Sequence, residues 1–133
     1  MAGGWAVLRS SEFREWYRTA LTDEERDAIV AAVLRLQEDG PALRRPLSGS
    51  IKASKFANMK ELIPPAGNIR ILYLLDQERR AVLLLGGDKS DRWEDWYRAN
   101  IPIADSIYER HLAARAAAAA SPPPRRRARG RTR

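Results

Sequence analysis

At 133 residues the chain has length for one hydrophobic core, since domains commonly run about 100 to 150 residues. It holds no cysteine and a single histidine, His111, which excludes disulfides, thiolate nucleophiles, cysteine-ligated zinc, multi-histidine metal sites and a two-histidine ribonuclease mechanism. The formal charge of +7 resides at the C-terminal end: seven arginines and no acids lie from Arg115 onward, and the remaining 17 cations balance the 17 acids.

No apolar run approaches the roughly 20 residues that span a bilayer, and the N-terminus lacks a basic-then-apolar leader pattern. A soluble, cytoplasmic protein with no membrane partner is expected. Residues 5–8 read as a first strand after Gly3 and Gly4. Ser10 or Ser11 can then cap a short helix on which Phe13, Trp16, Tyr17 and Ala20 make one apolar stripe. Thr22 and Glu25 have the spacing of a capping box, and the spacing predicts a helix over 23–39, stopped by Gly40-Pro41. The two helices are expected to form a hairpin against a sheet.

Residues 40–57 carry Arg44, Arg45, Lys52 and Lys55 among prolines, glycines and serines, without periodicity, and read as a long basic loop. Strands are expected at 58–63, 69–76 and 81–86, joined by turns into an antiparallel meander. An even pairing register would place Lys60 beside Arg70. After Gly86-Gly87-Asp88-Lys89-Ser90, one helix carries Trp93, Trp96 and Tyr97. Pro102 is expected to interrupt it before a last helix that runs into the alanines ending at Ala120. The proline- and arginine-rich remainder is too biased to pack, so the chain divides into an α+β domain at 1–120 and a disordered tail at 121–133.

Three cations stand out on or beside these strands. Arg70 opens an apolar strand, where it needs a phosphate, solvent or an ion pair with Glu61 or Asp76. Lys60 is either a site residue or a surface lysine paired with its neighbours. Two glycines precede Lys89 and let the chain turn there, but Asp88 stands where a phosphate loop needs glycine, so no P-loop is present. Trp93 and Tyr97 are either core residues or platforms for stacking on bases.

The stretches Asn58-Met59-Lys60-Glu61-Leu62, Arg70-Ile71-Leu72-Tyr73 and 83–90, with Trp96-Tyr97 and Ile101-Pro102-Ile103-Ala104-Asp105, resemble the RelE/ParE superfamily of toxins, nearest to its HigB-like, phage-derived branch. The likeness spans about residues 4–114 and leaves out the tail. It implies a compact antiparallel-rich sheet flanked by an N-terminal helical hairpin and C-terminal helices, and a cognate antitoxin, expected to be a helix-turn-helix protein. It also implies messenger RNA cleavage at the ribosome without metal or cofactor.

By that resemblance Lys60 would act as base or charge stabiliser, Arg70 would hold the scissile phosphate and Lys89 would stabilise or protonate the leaving side. Lys52, Lys55, Arg92, Trp93 and Tyr97 would contact RNA. Relatives often follow the Lys-Glu-Leu motif with an arginine, where this chain has Ile63. A non-catalytic toxin of the gyrase-inhibitor kind, or a nucleic-acid-binding protein driven by its tail, remain alternatives on the same scaffold.

Overall fold

The computed structural model describes residues 4–90 and 93–120; Arg92, expected to contact RNA, and the 121–133 segment, expected to be disordered, lie outside them. Among the described residues five strands form one sheet. They are β1 (Ala6–Arg9), β2 (Ser48–Ser50), β3 (Lys60–Leu62), β4 (Ile69–Leu75) and β5 (Arg80–Asp88), in the order β1-β5-β4-β3-β2. Helices α1 (Ser11–Thr19) and α2 (Asp23–Asp39) cover one face, and α3 (Trp93–Ala120) covers the other. No described helix is long and apolar enough to cross a membrane.

The helical hairpin begins as its caps dictate. Ser10 Oγ accepts from the Phe13 N–H at 2.9 Å, and both bonds of the Thr22/Glu25 capping box form, at 2.9 and 3.1 Å. Phe13, Ile29, Ala32 and Leu36 then bury against Ile71, Tyr73 and Leu83 of the sheet. On the opposite face Ile101, Ala104, Ile107 and Tyr108 pack on Leu72, Leu74, Val82 and Leu84. Because β4 is covered on both sides, its sequence is a nearly continuous apolar run rather than an alternating one.

Strands β3, β4 and β5 form the expected antiparallel meander, but several features differ from expectation. First, β1 joins β5 in parallel, with Ala6 opposite Arg80 and Leu8 opposite Val82. A parallel partner requires a crossover, which α1, α2 and the intervening strands provide. Second, the basic loop contains a 3-10 turn at Gly40–Ala42 and the short edge strand β2, and it is tied to α3. Ser54 Oγ and the Lys55 N–H donate to the buried Asp105 carboxylate at 2.5 and 3.1 Å.

Third, α3 continues through Pro102 instead of breaking there. The proline costs about 3 kcal/mol in a helix interior. Burial of Ile101, Ile107 and Tyr108 on the sheet returns about 1.5 to 3 kcal/mol each, so packing prevails. Fourth, β5 extends past Gly86 to Asp88. The two glycines lie within the strand because the Trp16 ring sits against Gly86 on one face and the Trp96 ring against Gly87 on the other, where any Cβ would collide.

The pairing register is odd rather than even. Lys60 stands opposite Tyr73, Glu61 opposite Leu72 and Leu62 opposite Ile71, while Arg70 stands opposite Gly87. Leu62 and Tyr73 must bury under α1 and α2 and Leu72 under α3, and a one-residue slip would invert all of them. The consequence is that Lys60 and Arg70 lie on opposite faces of the sheet. Arg70 shares the α3 face with Glu61.

Candidate functional site

An open cleft of about 470 Å³ lies on the α3 face, between the start of α3, the β3 and β4 strands and the basic loop. Arg45, Lys52, Arg70 and Lys89 line it, with Glu61 as its one carboxylate among the described residues and Trp93 and Tyr97 as its aromatic wall. Four cations against one acid make it electropositive, although residues 1–114 taken together carry 17 cations and 17 acids. Low-dielectric walls focus such a potential toward a polyanion.

Arg70 is set deep in this cleft. Its Nη1 donates to the Ile69 carbonyl at 2.8 Å and its Nε lies 3.6 Å from Glu61 Oε1, too far for a hydrogen bond, so that buried Nε–H has no partner. The ion pair with Glu61 anticipated from sequence is therefore present, and it leaves the guanidinium with donors to spare. Glu61 in turn accepts the hydroxyl proton of Tyr97. Burial, then that hydrogen bond and the carboxylate's charge, push the Tyr97 phenol up to about 12, against a smaller opposing pull from Arg70.

The aromatic wall comes from the first turns of α3. Tyr97 is flanked edge-on by Trp93 and Trp96, with ring centroids 6.2 and 5.2 Å away, so its ring is held by packing while its hydroxyl bonds Glu61. Trp93 is 52% exposed, and Lys89 Nζ stands 5.8 Å from its ring centroid. The Lys89 N–H is anchored to the Asn68 carbonyl at 3.0 Å, which fixes the root of that side chain.

Of the residues singled out in the sequence, the structure brings Arg70, Lys89, Lys52, Trp93 and Tyr97 together. It does not bring in Lys60, which shares the α1/α2 face of β3 with Leu62. Lys55 points to α3 instead, 3.1 Å from Glu109. Glu61 and Arg45 were missed as site residues. Glu61 follows from strand alternation once the register is known, whereas Arg45 lies in a loop with no periodicity, and its guanidinium folds back against Gly49. Ile63 falls by alternation on the face of Glu61 and Arg70.

A second polar cluster closes the far end of the same face. The fully buried Asp76 carboxylate accepts from the Glu78 and Arg80 N–H groups at 2.9 and 3.0 Å and from Arg80 Nε at 2.9 Å, with His111 Nε2 of α3 3.5 Å away. Burial pushes the Asp76 carboxyl up, but these donors outweigh it and hold it below its ordinary value. Arg115 reaches Glu78 at 2.7 Å. Every partner here is internal, so the cluster clamps the β4–β5 turn to α3.

Residues 17–109 match the family described as phage-derived protein Gp49-like (DUF891). The chain belongs to that family. It is 42% identical over 109 residues to HigB3 of Mycobacterium tuberculosis (strain ATCC 25618 / H37Rv), which carries a toxin name; the match covers 82% of this chain and 95% of HigB3. The fold is that of RelE. The isolated Escherichia coli RelE toxin superposes with a TM-score of 0.54 at 10% identity, covering 71% of this chain and 97% of RelE. RelE of the Pyrococcus horikoshii OT3 RelE–RelB complex superposes with a TM-score of 0.52 at 11% identity, covering 66% and 98%. The family and fold read from the sequence motifs are thus borne out.

Proposed function

We propose that this Gp49-like chain is the toxin of a toxin–antitoxin pair and cleaves messenger RNA at the ribosome without a metal. The observation that carries the reading is the cleft itself: four cations, a half-exposed tryptophan and a phenol hydroxyl gathered at one place, although residues 1–114 carry no net charge. Kinship with HigB3 supports the toxin role, and the RelE–RelB complex supports a cognate antitoxin as partner, expected to be a helix-turn-helix protein.

In this reading Arg70 holds the scissile phosphate and stabilises charge as the 2′-hydroxyl attacks it, and Lys89 protonates the departing 5′-oxygen. Lys52 and Arg45 contact flanking phosphates, and Trp93 stacks on a base. Lys60 and Lys55, which face elsewhere, are left out of the chemistry. Induction of the chain should arrest growth and generate new RNA 5′ ends, and a folded Arg70→Ala variant should do neither. Arrest without new 5′ ends would instead identify a toxin that inhibits by binding.

A further inference from the structure

We propose that Asp105 is a positioning residue of the cleft: it fixes the basic loop so that Lys52 meets an RNA phosphate opposite the aromatic wall. The inference rests on the reading of the cleft as an RNA site and adds the residue that builds one of its sides. Asp105 is 4% exposed and sits on α3 among Ile101, Ala104, Ile107 and Tyr108, all packed on the sheet. A carboxylate buried in such company is costly unless donors satisfy it. Its hydrogen-bond partners among the described residues are Ser54 Oγ and the Lys55 N–H, at 2.5 and 3.1 Å, and both belong to the loop. An apolar side chain would meet the needs of the α3 core without that cost. What the carboxylate adds is order in the loop.

The loop depends on such contacts. Residues 51–59 contain no helix or strand, and holding such a segment in one conformation has an entropy cost that its contacts must offset. Ser54 Oγ, while donating to Asp105, accepts the Phe56 N–H at 2.9 Å. The Phe56 ring meets Tyr108 edge-on with centroids 4.9 Å apart, and Lys55 Nζ stands 3.1 Å from Glu109. These contacts fall on residues 105, 108 and 109, one side of α3, and those to Asp105 are buried and charge-assisted.

Residues 50–53, immediately before Ser54, line the cleft. Lys55 is committed to Glu109, whereas Lys52 has no ion pair among the described residues and is available to a phosphate. Trp93, Tyr97 and Ile101 line the cleft at four-residue steps along α3, and Asp105 is the next step. The helix that carries the aromatic wall thus also sets where Lys52 stands.

Asp105 is itself an anion, so loss of its charge alone should strengthen the binding of a polyanion. Loss of an anchor should weaken it. The test measures, against salt, the affinity of the full chain for a single-stranded 2′-O-methylated RNA, which keeps its phosphates and lacks the attacking hydroxyl. The proteins are the parent, Asp105→Ala, Asp105→Asn, Lys52→Ala and the double variant Asp105→Ala/Lys52→Ala. Asp105→Ala should weaken binding about three- to fivefold at about 0.15 M salt and flatten the slope of log affinity against log salt by about 0.7, as one lost phosphate contact does. Asp105→Asn should stay within about twofold of the parent, because its amide oxygen still accepts from the Lys55 N–H and its amide nitrogen can donate to Ser54 Oγ. Adding Lys52→Ala to Asp105→Ala should cost nothing further, since Asp105 acts through Lys52.

A folded Asp105→Ala protein that binds as tightly as the parent, or more tightly, overturns the proposal and leaves the RNA reading intact. So does a loss on Lys52→Ala that is the same with and without Asp105. If Asp105→Ala does not fold, Ser54→Ala, on the loop side of the same hydrogen bond, takes its place in the cycle and is judged by the same two outcomes. A parent protein that does not bind the strand overturns the RNA reading of the cleft and the proposal with it.

Discussion

The indole of Trp96 fills the space that a side chain on Gly87 would need, and Gly87 is the residue paired with Arg70. One absent methyl thus sets how closely α3 approaches β5, the strand paired with the one that carries the central cation. Gly87→Ala should push α3 outward and cost about 1 to 3 kcal/mol. Thermal denaturation should show a loss of several degrees. RNA cleavage should fall more than the stability loss alone explains, because Trp93 and Tyr97 move with the helix.

Cations that bind phosphate leave a signature in salt dependence. For single-stranded RNA each neutralised phosphate contributes about 0.7 to the slope of log affinity against log salt. Lys89→Ala and Lys52→Ala should each flatten that slope by about this amount in filter-binding titrations. Lys60→Ala, on the other face of β3, should leave it unchanged.

Asp76 ties acid stability to one clamp. Its native carboxyl lies below the ordinary value of 3.8, so the unfolded chain binds its proton more readily than the folded one. The contribution is therefore complete at neutral pH and is lost as pH falls through 3.8 towards the lower native value. Urea midpoints measured from pH 7 downward should drop across that window. Asp76→Asn should flatten the drop and, because the Arg80 guanidinium keeps its pair with Glu78 at 2.9 Å, should cost only about 1 to 3 kcal/mol at pH 7.

At the opposite edge, Ser48 and Tyr73 share a buried hydroxyl hydrogen bond of 2.6 Å that joins β2 to β4 across β3. Tyr73→Phe should strand the Ser48 hydroxyl and cost about 1 to 3 kcal/mol. The double variant with Ser48→Ala should recover part of that loss, read as a positive coupling in chemical denaturation.

The elements that could be read from the sequence are those whose signals are local. Thr22 and Glu25 announce α2 through a bond pair only three residues long, and the apolar runs of β4 and β5 need nothing beyond themselves. What escaped depends on distant partners. The three residues of β2 are a strand only because Leu62 and Glu61 pair with them. Pro102 reads as a stop until the burial of Ile101 and Ala104 on the sheet is weighed against it. The site was half legible for the same reason: Arg70 and Lys89 betray themselves by charge in apolar or glycine-rich surroundings. Whether Lys60 or Glu61 joins Arg70 turns on one residue of register, which no local pattern fixes.

The parallel pairing of β1 with β5 also governs when the molecule can exist. Synthesis runs from the N-terminus, so β1 must wait for a partner more than half a chain away, and the apolar underside of α1 and α2 waits with it. The cleft is later still, because Trp93 and Tyr97 belong to the last helix. A nascent chain emerging from a ribosome therefore carries Arg70 long before it carries the wall that completes the pocket. The cleft is therefore complete only when translation of the chain is almost over.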